Sequence, residues 1–227
     1  MSIRIREYNQ SDVQPRVYKQ LNIYNQGRLK NLLKGLPLSI IENYHVDDEG
    51  LWSLTNYTIA VNLCKRLMKL DDINCDSVIT DAMAGVGGNT IPFAQMFKHV
   101  NSIEICENRK KMLDRNISLY KLSNVTTVLK SYSVDDFNQD IVYFDPPWGE
   151  NYKTFERVTI NVKIGDRDCK LHELTAQLYN KCKYVVLKLP VNYNMCELTE
   201  FLSGMKLIDT KVYKRPNSQL LAIFKCV

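Results

Sequence analysis

The sequence predicts an α/β fold: a mostly parallel sheet covered by helices on both faces. Two observations carry this. From Ser77 onward, short apolar runs alternate with amphipathic segments, a pattern that needs helical crossovers between neighbouring parallel strands. The 227 residues, 45% hydrophobic and 24% charged, supply one well-buried domain and leave little for a second large one.

Taken in order, residues 1–50 are polar and form an expected helical extension. Ser11 is placed to cap a helix whose apolar positions Val17, Leu21 and Tyr24 recur at helical spacing. Arg28, Lys30 and Lys34 follow, as a solvated basic face or as part of a binding surface. A stronger helix is predicted over Thr55–Leu70, with Ile59, Ala60, Leu63, Leu67 and Leu70 on one stripe. Strands are then predicted at Ser77–Asp81, Val100–Ile105, Val125–Leu129 and Asp140–Phe144, with helices at Thr90–Lys98 and Asn108–Leu122 between them. A helix over Leu171–Cys182 leads to a strand at Tyr184–Leu189. Two last strands, Lys206–Tyr213 and Leu220–Cys226, are joined by the turn-forming Arg215-Pro216-Asn217-Ser218, which brings the sheet to seven strands.

Bulk properties narrow the function classes. A net charge of +5 admits an anionic partner without requiring one. Seven cysteines without a C-x-x-C pair, and only three histidines, give no zinc-ligand spacing, so no metal is expected. The odd cysteine count, an N-terminus MSIRIREYNQ without an apolar core, and no apolar run near the ~20 residues of a membrane span point to a reducing cytoplasm or nucleus. The chain is expected to act as a monomer.

The first strand ends in Asp81 and runs into AMAGVGGNTIPF, with Gly85, Gly87 and Gly88 ahead of a helix. Glycines there let a ligand approach the main chain, and a helix start offers unpaired N–H groups. The spacing is neither the dinucleotide G-x-G-x-x-G nor a phosphate loop, which disfavours NAD and ATP. Glu104 ends the second strand, 23 residues beyond Asp81, where an acid can accept both hydroxyls of a ribose. Two strand-end acids suit a ligand with a ribose at its centre and a positive group to one side, and S-adenosylmethionine has both. After the third strand, Ser131-Tyr132-Ser133 and Asp135-Asp136 either frame an adenine or form a surface loop.

The fourth strand runs into DPPWGENY, Asp145 to Tyr152. Two prolines make a stiff loop without further strand pairing, and the loop displays a carboxylate beside a large flat ring. Together, DAMAGVGGNT and DPPW resemble the Rossmann-like class I methyltransferases that modify exocyclic amino groups. Three further stretches narrow the resemblance to the trimethylguanosine synthase family, the RNA cap guanine-N2 methyltransferases: DEGLWSLTNYTIA at Asp48–Ala60, GVGGNT at Gly85–Thr90, and Trp148-Gly149 with Tyr152 nearby. The likeness covers about Leu36 to Leu189.

That resemblance implies a catalytic domain over 51–227, with residues 1–50 contributing to substrate binding, and S-adenosylmethionine as cofactor. It implies cofactor contacts at Ser53, Thr55, Asp81, Gly85, Gly87, Asn89, Glu104, Ser131 and Asp145. Asp145, Pro146 and Trp148 would do the chemistry, holding the target amine and stacking on the guanine. Ser53 and Thr55 also have a structural reading as helix N-caps, and Trp52 is either a wall of the site or a packing residue. Tyr152, Trp52, Arg28, Lys34, Lys188 and Asn192 would bind the substrate, a 7-methylguanosine nucleotide or capped RNA. The family's L-P-R-N is Leu189-Pro190-Val191-Asn192 here, so the phosphate-contacting arginine is missing, and Lys188, Arg28, Lys30 or Lys34 would replace it. Two other readings stand beside this one: methylation of an internal guanine N2 or adenine N6, and a cap-binding module without catalysis.

Overall fold

The computed structural model describes residues 2–3 as backbone, and 13–149, 152–164, 167–214 and 218–226 in full. Ten strands are described: β1 Ser2–Ile3, β2 Val78–Asp81, β3 His99–Glu104, β4 Val125–Leu129, β5 Ile141–Phe144, β6 Thr159–Ile164, β7 Arg167–Lys170, β8 Tyr184–Pro190, β9 Met205–Tyr213 and β10 Gln219–Cys226. Eight α-helices accompany them: α1 Ile23–Leu32, α2 Leu38–Asn43, α3 Asp48–Ser53, α4 Tyr57–Leu67, α5 Thr90–Ala94, α6 Glu107–Leu119, α7 Leu171–Ala176 and α8 Met195–Phe201. The main sheet has seven strands in the order β4-β3-β2-β5-β8-β10-β9. The pairs β2–β3, β3–β4 and β5–β8 are parallel, whereas β10 is antiparallel to both β8 and β9. This is the mostly parallel, seven-stranded architecture expected from the alternation.

The chain divides into two compact units, Tyr8–Lys130 and Ser131–Val227, the latter with the first seven residues. In the first, α4 buries Ile59, Ala60, Leu63 and Leu67 of the stripe read from the sequence, while Leu70 lies beyond the helix end at Leu67 and is half-buried. Its cap is Asn56, whose side chain accepts from the N–H groups of Thr58 and Ile59. This corrects the N-cap reading of Ser53 and Thr55, because Ser53 is the last residue of α3. The region before α1 also departs from expectation. Ser11 lies outside the described residues, Val17 and Leu21 flank a short 3-10 turn at Tyr18–Gln20, and the helix begins only at Ile23, capped by Asn22. Leu21 is buried from extended backbone, which a helical stripe cannot represent. Leu29, Leu32, Leu33, Ile41, Tyr44, Val46 and Leu51 then form a core with Val86, Ile91, Met112 and Leu113.

The second unit holds β5, β8, β10 and β9, and a separate three-stranded sheet in the order β1-β6-β7. Strands β6 and β7 form an antiparallel pair between β5 and α7, an element the sequence reading lacked. The turn at 215–217 lies outside the described residues. Among the described residues, no helix is long and apolar enough to cross a membrane, and no group of His, Cys, Asp or Glu could hold a metal ion.

Candidate active site

One cluster of candidate residues is the loop after β2, within the first unit. Gly85 and Gly87 both take positive φ, +54° and +99°, which turns the chain back before α5. The loop closes through Gly87 N–H to Ala84 O at 3.0 Å, while Ala84 N–H reaches Ile103 O on β3 at 2.8 Å. Glu104 then fastens it: one carboxylate oxygen accepts from Gly85 N–H and the other from Cys106 N–H, each at 2.8 Å. Burial pushes the Glu104 carboxyl up, and the N–H of Cys106, the Arg109 charge and the N–H of Gly85 oppose that shift. Asp81 is buried at the end of β2 and accepts from the Thr90 hydroxyl at 2.7 Å, and Thr90 Oγ1 lies 3.0 Å from Ser102 Oγ.

The remaining first-unit candidates cluster by α3. The Thr55 hydroxyl accepts from Asn89 Nδ2 at 2.9 Å. Trp52 is half exposed, with the Arg28 guanidinium 3.9 Å over its ring. Arg28 also donates from Nε to Leu51 O and from Nη2 to Trp52 O, so it closes the carboxyl end of α3. Ser53 and Lys34 are exposed.

Three residues that sequence reasoning missed hold this cluster together. Asn116, fully buried on α6, donates from Nδ2 to His45 O at 2.9 Å and to Val86 O at 2.8 Å, and its Oδ1 accepts from His45 N–H. The Tyr44 hydroxyl donates to the same Val86 carbonyl at 2.9 Å. Arg109 grips Asp47 Oδ2 from Nε at 3.0 Å and Nη2 at 2.9 Å, and also meets Glu49. The available signal was Asn116 itself, because asparagine is unfavourable inside a helix unless its amide has work.

Asn89 tests whether the loop suits S-adenosylmethionine. Its Oδ1 is buried and, among the described residues, has no hydrogen-bond partner. A buried acceptor in that state is costly unless a donor arrives, and the ammonium of a bound amino-acid moiety is such a donor. With Asp81 and Glu104 at their strand ends, the donor set fits the cofactor. Gly87→Ala should disturb this loop directly: a Cβ would stand 3.0 Å from Leu113 Cδ1 on a backbone at φ +99°. The expected cost is about 1 to 3 kcal/mol of stability, with weaker S-adenosylmethionine binding by calorimetry.

A separate cluster of candidate residues lies in the second unit. Asp145 follows β5, and its Oδ2 accepts from Lys188 Nζ at 2.7 Å, with both side chains shielded from solvent. Trp148, half-buried, donates from Nε1 to Lys188 O at 3.4 Å and meets Tyr152 edge-on, with ring centroids 5.2 Å apart and planes at 79°. Asn192 Nδ2 donates to the carbonyls of Tyr152 and Phe155, both at 2.8 Å. Pro146 is buried between the acid and the ring in sequence, and Ser131 is half-buried at the start of the unit. Asp145, Trp148, Tyr152, Lys188 and Asn192 therefore converge. Lys188 departs from the phosphate-gripping expectation, because its ammonium is buried against a carboxylate.

Known proteins similar to this chain define its family. The profile of a family described as RNA cap guanine-N2 methyltransferase matches residues 76–219. An uncharacterised protein of Acanthamoeba polyphaga mimivirus is 34% identical over 202 residues, covering 78% of this chain and 77% of its own. The trimethylguanosine synthase of Schizosaccharomyces pombe is 35% identical over 118 residues, 45% of this chain and 48% of that one, so the match spans about half of that relative. Among solved structures, the M. jannaschii tRNA m1G37 methyltransferase superposes with a TM-score of 0.52 at 14% identity, covering 74% of this chain and 48% of that one. A precorrin-6y C5,15-methyltransferase of Geobacter metallireducens gives 0.51 at 16%, covering 76% and 90%. These two share the fold alone. With the family profile matching well over half of its length, the chain belongs to the RNA cap guanine-N2 methyltransferases, a family of S-adenosylmethionine-dependent enzymes on the Rossmann-like fold.

Proposed function

We propose that the protein methylates the exocyclic N2 of a 7-methylguanosine cap, giving 2,7-dimethylguanosine and, after a second round, 2,2,7-trimethylguanosine. The observation that carries this reading is the corner formed by Asp145, Trp148 and Tyr152: an ion-paired carboxylate, two prolines and a half-exposed indole braced by a second ring. A guanine methylated at N7 is a flat cation, and an indole face attracts such a cation by ~0.5 to 2 kcal/mol.

Bound at the glycine loop, S-adenosylmethionine supplies an electrophilic methyl group on sulfur. The chain's own task is orientation. The guanine amine is a weak nucleophile, its lone pair delocalised into the ring, so it must be held in line and allowed to pyramidalise. Hydrogen bonds from the amine to the Asp145 carboxylate and the Pro146 carbonyl serve both needs, and Pro147 keeps that carbonyl in place. The amine becomes acidic only as its new bond forms, so no strong base is needed beforehand, and the proton leaves to water or to Asp145.

Residues 1–50 are taken to contribute to substrate binding. Arg28 is committed to α3 and Trp52, and Lys188 to Asp145, which leaves the exposed Lys30 and Lys34 as the favoured phosphate contacts. A monomer working in a reducing intracellular compartment completes the reading.

The test is incubation with labelled S-adenosylmethionine and 7-methyl-GTP, GTP or uncapped RNA, followed by product identification. Transfer to N2 of 7-methyl-GTP is expected. Transfer only to uncapped RNA would move the substrate to an internal base, and binding without transfer would leave a cap-binding module. Trp148→Ala should erase the preference for 7-methyl-GTP over GTP, a loss of up to ~30-fold in the ratio of kcat/KM values.

A further inference from the structure

Every residue of β8 is buried, and Lys188 is the charged one in Tyr-Val-Val-Leu-Lys-Leu-Pro. Burying an ammonium is costly unless an acid meets it, and an apolar side chain of similar size is often as stabilising. A lysine here therefore calls for a reason beyond packing. The register supplies its partner: β5 and β8 run parallel with Phe144 opposite Leu187, so Asp145 and Lys188 come next, side by side. The lysine then engages the loop twice. Its Nζ holds Asp145 Oδ2 at 2.7 Å, and its carbonyl accepts from Trp148 Nε1 at 3.4 Å. Nζ also stands 5.9 Å from the indole centroid.

We propose that Lys188 is a positioning residue for the methyl acceptor: its ammonium fixes the rotation of the Asp145 carboxylate while its carbonyl fixes the edge of the Trp148 ring. The inference rests on the assignment of Asp145 and Trp148 to the target base. The acceptor amine then meets a carboxylate already aimed, in place of one that must reorient during the reaction. A phosphate contact would behave differently. It would act on the triphosphate, raise KM, and leave the bare nucleoside unaffected.

The experiment compares wild-type protein with Lys188→Met on 7-methyl-GTP and on 7-methylguanosine, which carries no phosphate. The expected result is a fall in kcat of ~100-fold on both acceptors, with KM and calorimetric S-adenosylmethionine affinity little changed. In the Asp145→Asn background, Lys188→Met should add no further loss, because the lysine acts through that acid. Wild-type kcat in Lys188→Met, or a loss confined to KM for 7-methyl-GTP, would overturn the proposal. Should Lys188→Met fail to fold, Lys188→Ala assayed with propylammonium replaces it; recovery of kcat with added amine is expected, and a folded variant that does not recover counts against the role. If the wild-type protein methylates an internal RNA base in place of the cap, the cap reading fails, and the same comparison on that RNA still decides the role of Lys188.

Discussion

Asp145→Asn is expected to lower kcat for methyl transfer by ~10²- to 10³-fold while the protein stays folded. Asparagine keeps the shape of the side chain, and its carbonyl can still accept from Lys188. It loses the negative charge that, through the N–H groups it accepts, stabilises the positive charge building on nitrogen. Asp145→Ala should fail in a second way. It leaves the Lys188 ammonium buried without its carboxylate, a change that costs about 3 to 5 kcal/mol of stability. Initial rates and thermal unfolding measured together separate the two variants: Asn should lose activity with most of its stability, and Ala should lose both. Comparable rates for Asp145→Asn and wild type would remove Asp145 from the chemistry.

Arg109→Met carries the largest expected effect away from the target base. Arg109 is buried against Asp47, itself 4% exposed, with Glu49 and Glu104 close in charge. Removing the guanidinium leaves three acids to repel one another in a shielded place, at a cost of about 3 to 5 kcal/mol. The sign of the pH dependence follows. Without Arg109, the already raised Glu104 carboxyl is pushed further up, and a carboxyl whose folded pKa lies above its unfolded value favours the fold at low pH and loses that advantage as pH rises. The gap in urea midpoint between variant and wild type should therefore be wider near neutral pH than in mild acid. A gap independent of pH would mean that packing, and not charge, is what Arg109 supplies.

The strand ends were the most legible part of this chain. Asp81 and Glu104 close β2 and β3 where apolar runs meet acids, and Asp145 follows β5 where Pro-Pro bars further pairing. Such boundaries are local, so pattern and propensity suffice. What escaped depends on partners distant in sequence. The β6–β7 pair gains its meaning from strand pairing that no window of residues contains, and Leu21 is buried without any helix to carry it. Lys188 drew notice as a basic residue near a phosphate motif, yet its role follows from a strand register that places it beside Asp145. Asn116 and Arg109 sit on an otherwise ordinary amphipathic helix, and only their partners 30 to 71 positions away reveal them.

The carbonyl of Val86 has a consequence for how this protein opens. It accepts from both Tyr44 and Asn116, and Asn116 in turn clasps the main chain of His45 on both sides. The glycine loop cannot loosen without freeing the segment before α3, and that segment cannot leave without stranding polar groups on α6. The three pieces should then exchange their amide hydrogens as one cooperative block, with a shared opening free energy, and none should fray ahead of the others. Deleting the first fifty residues would strip that block of its outer layer, so a shortened catalytic core would forfeit the loop it was meant to isolate.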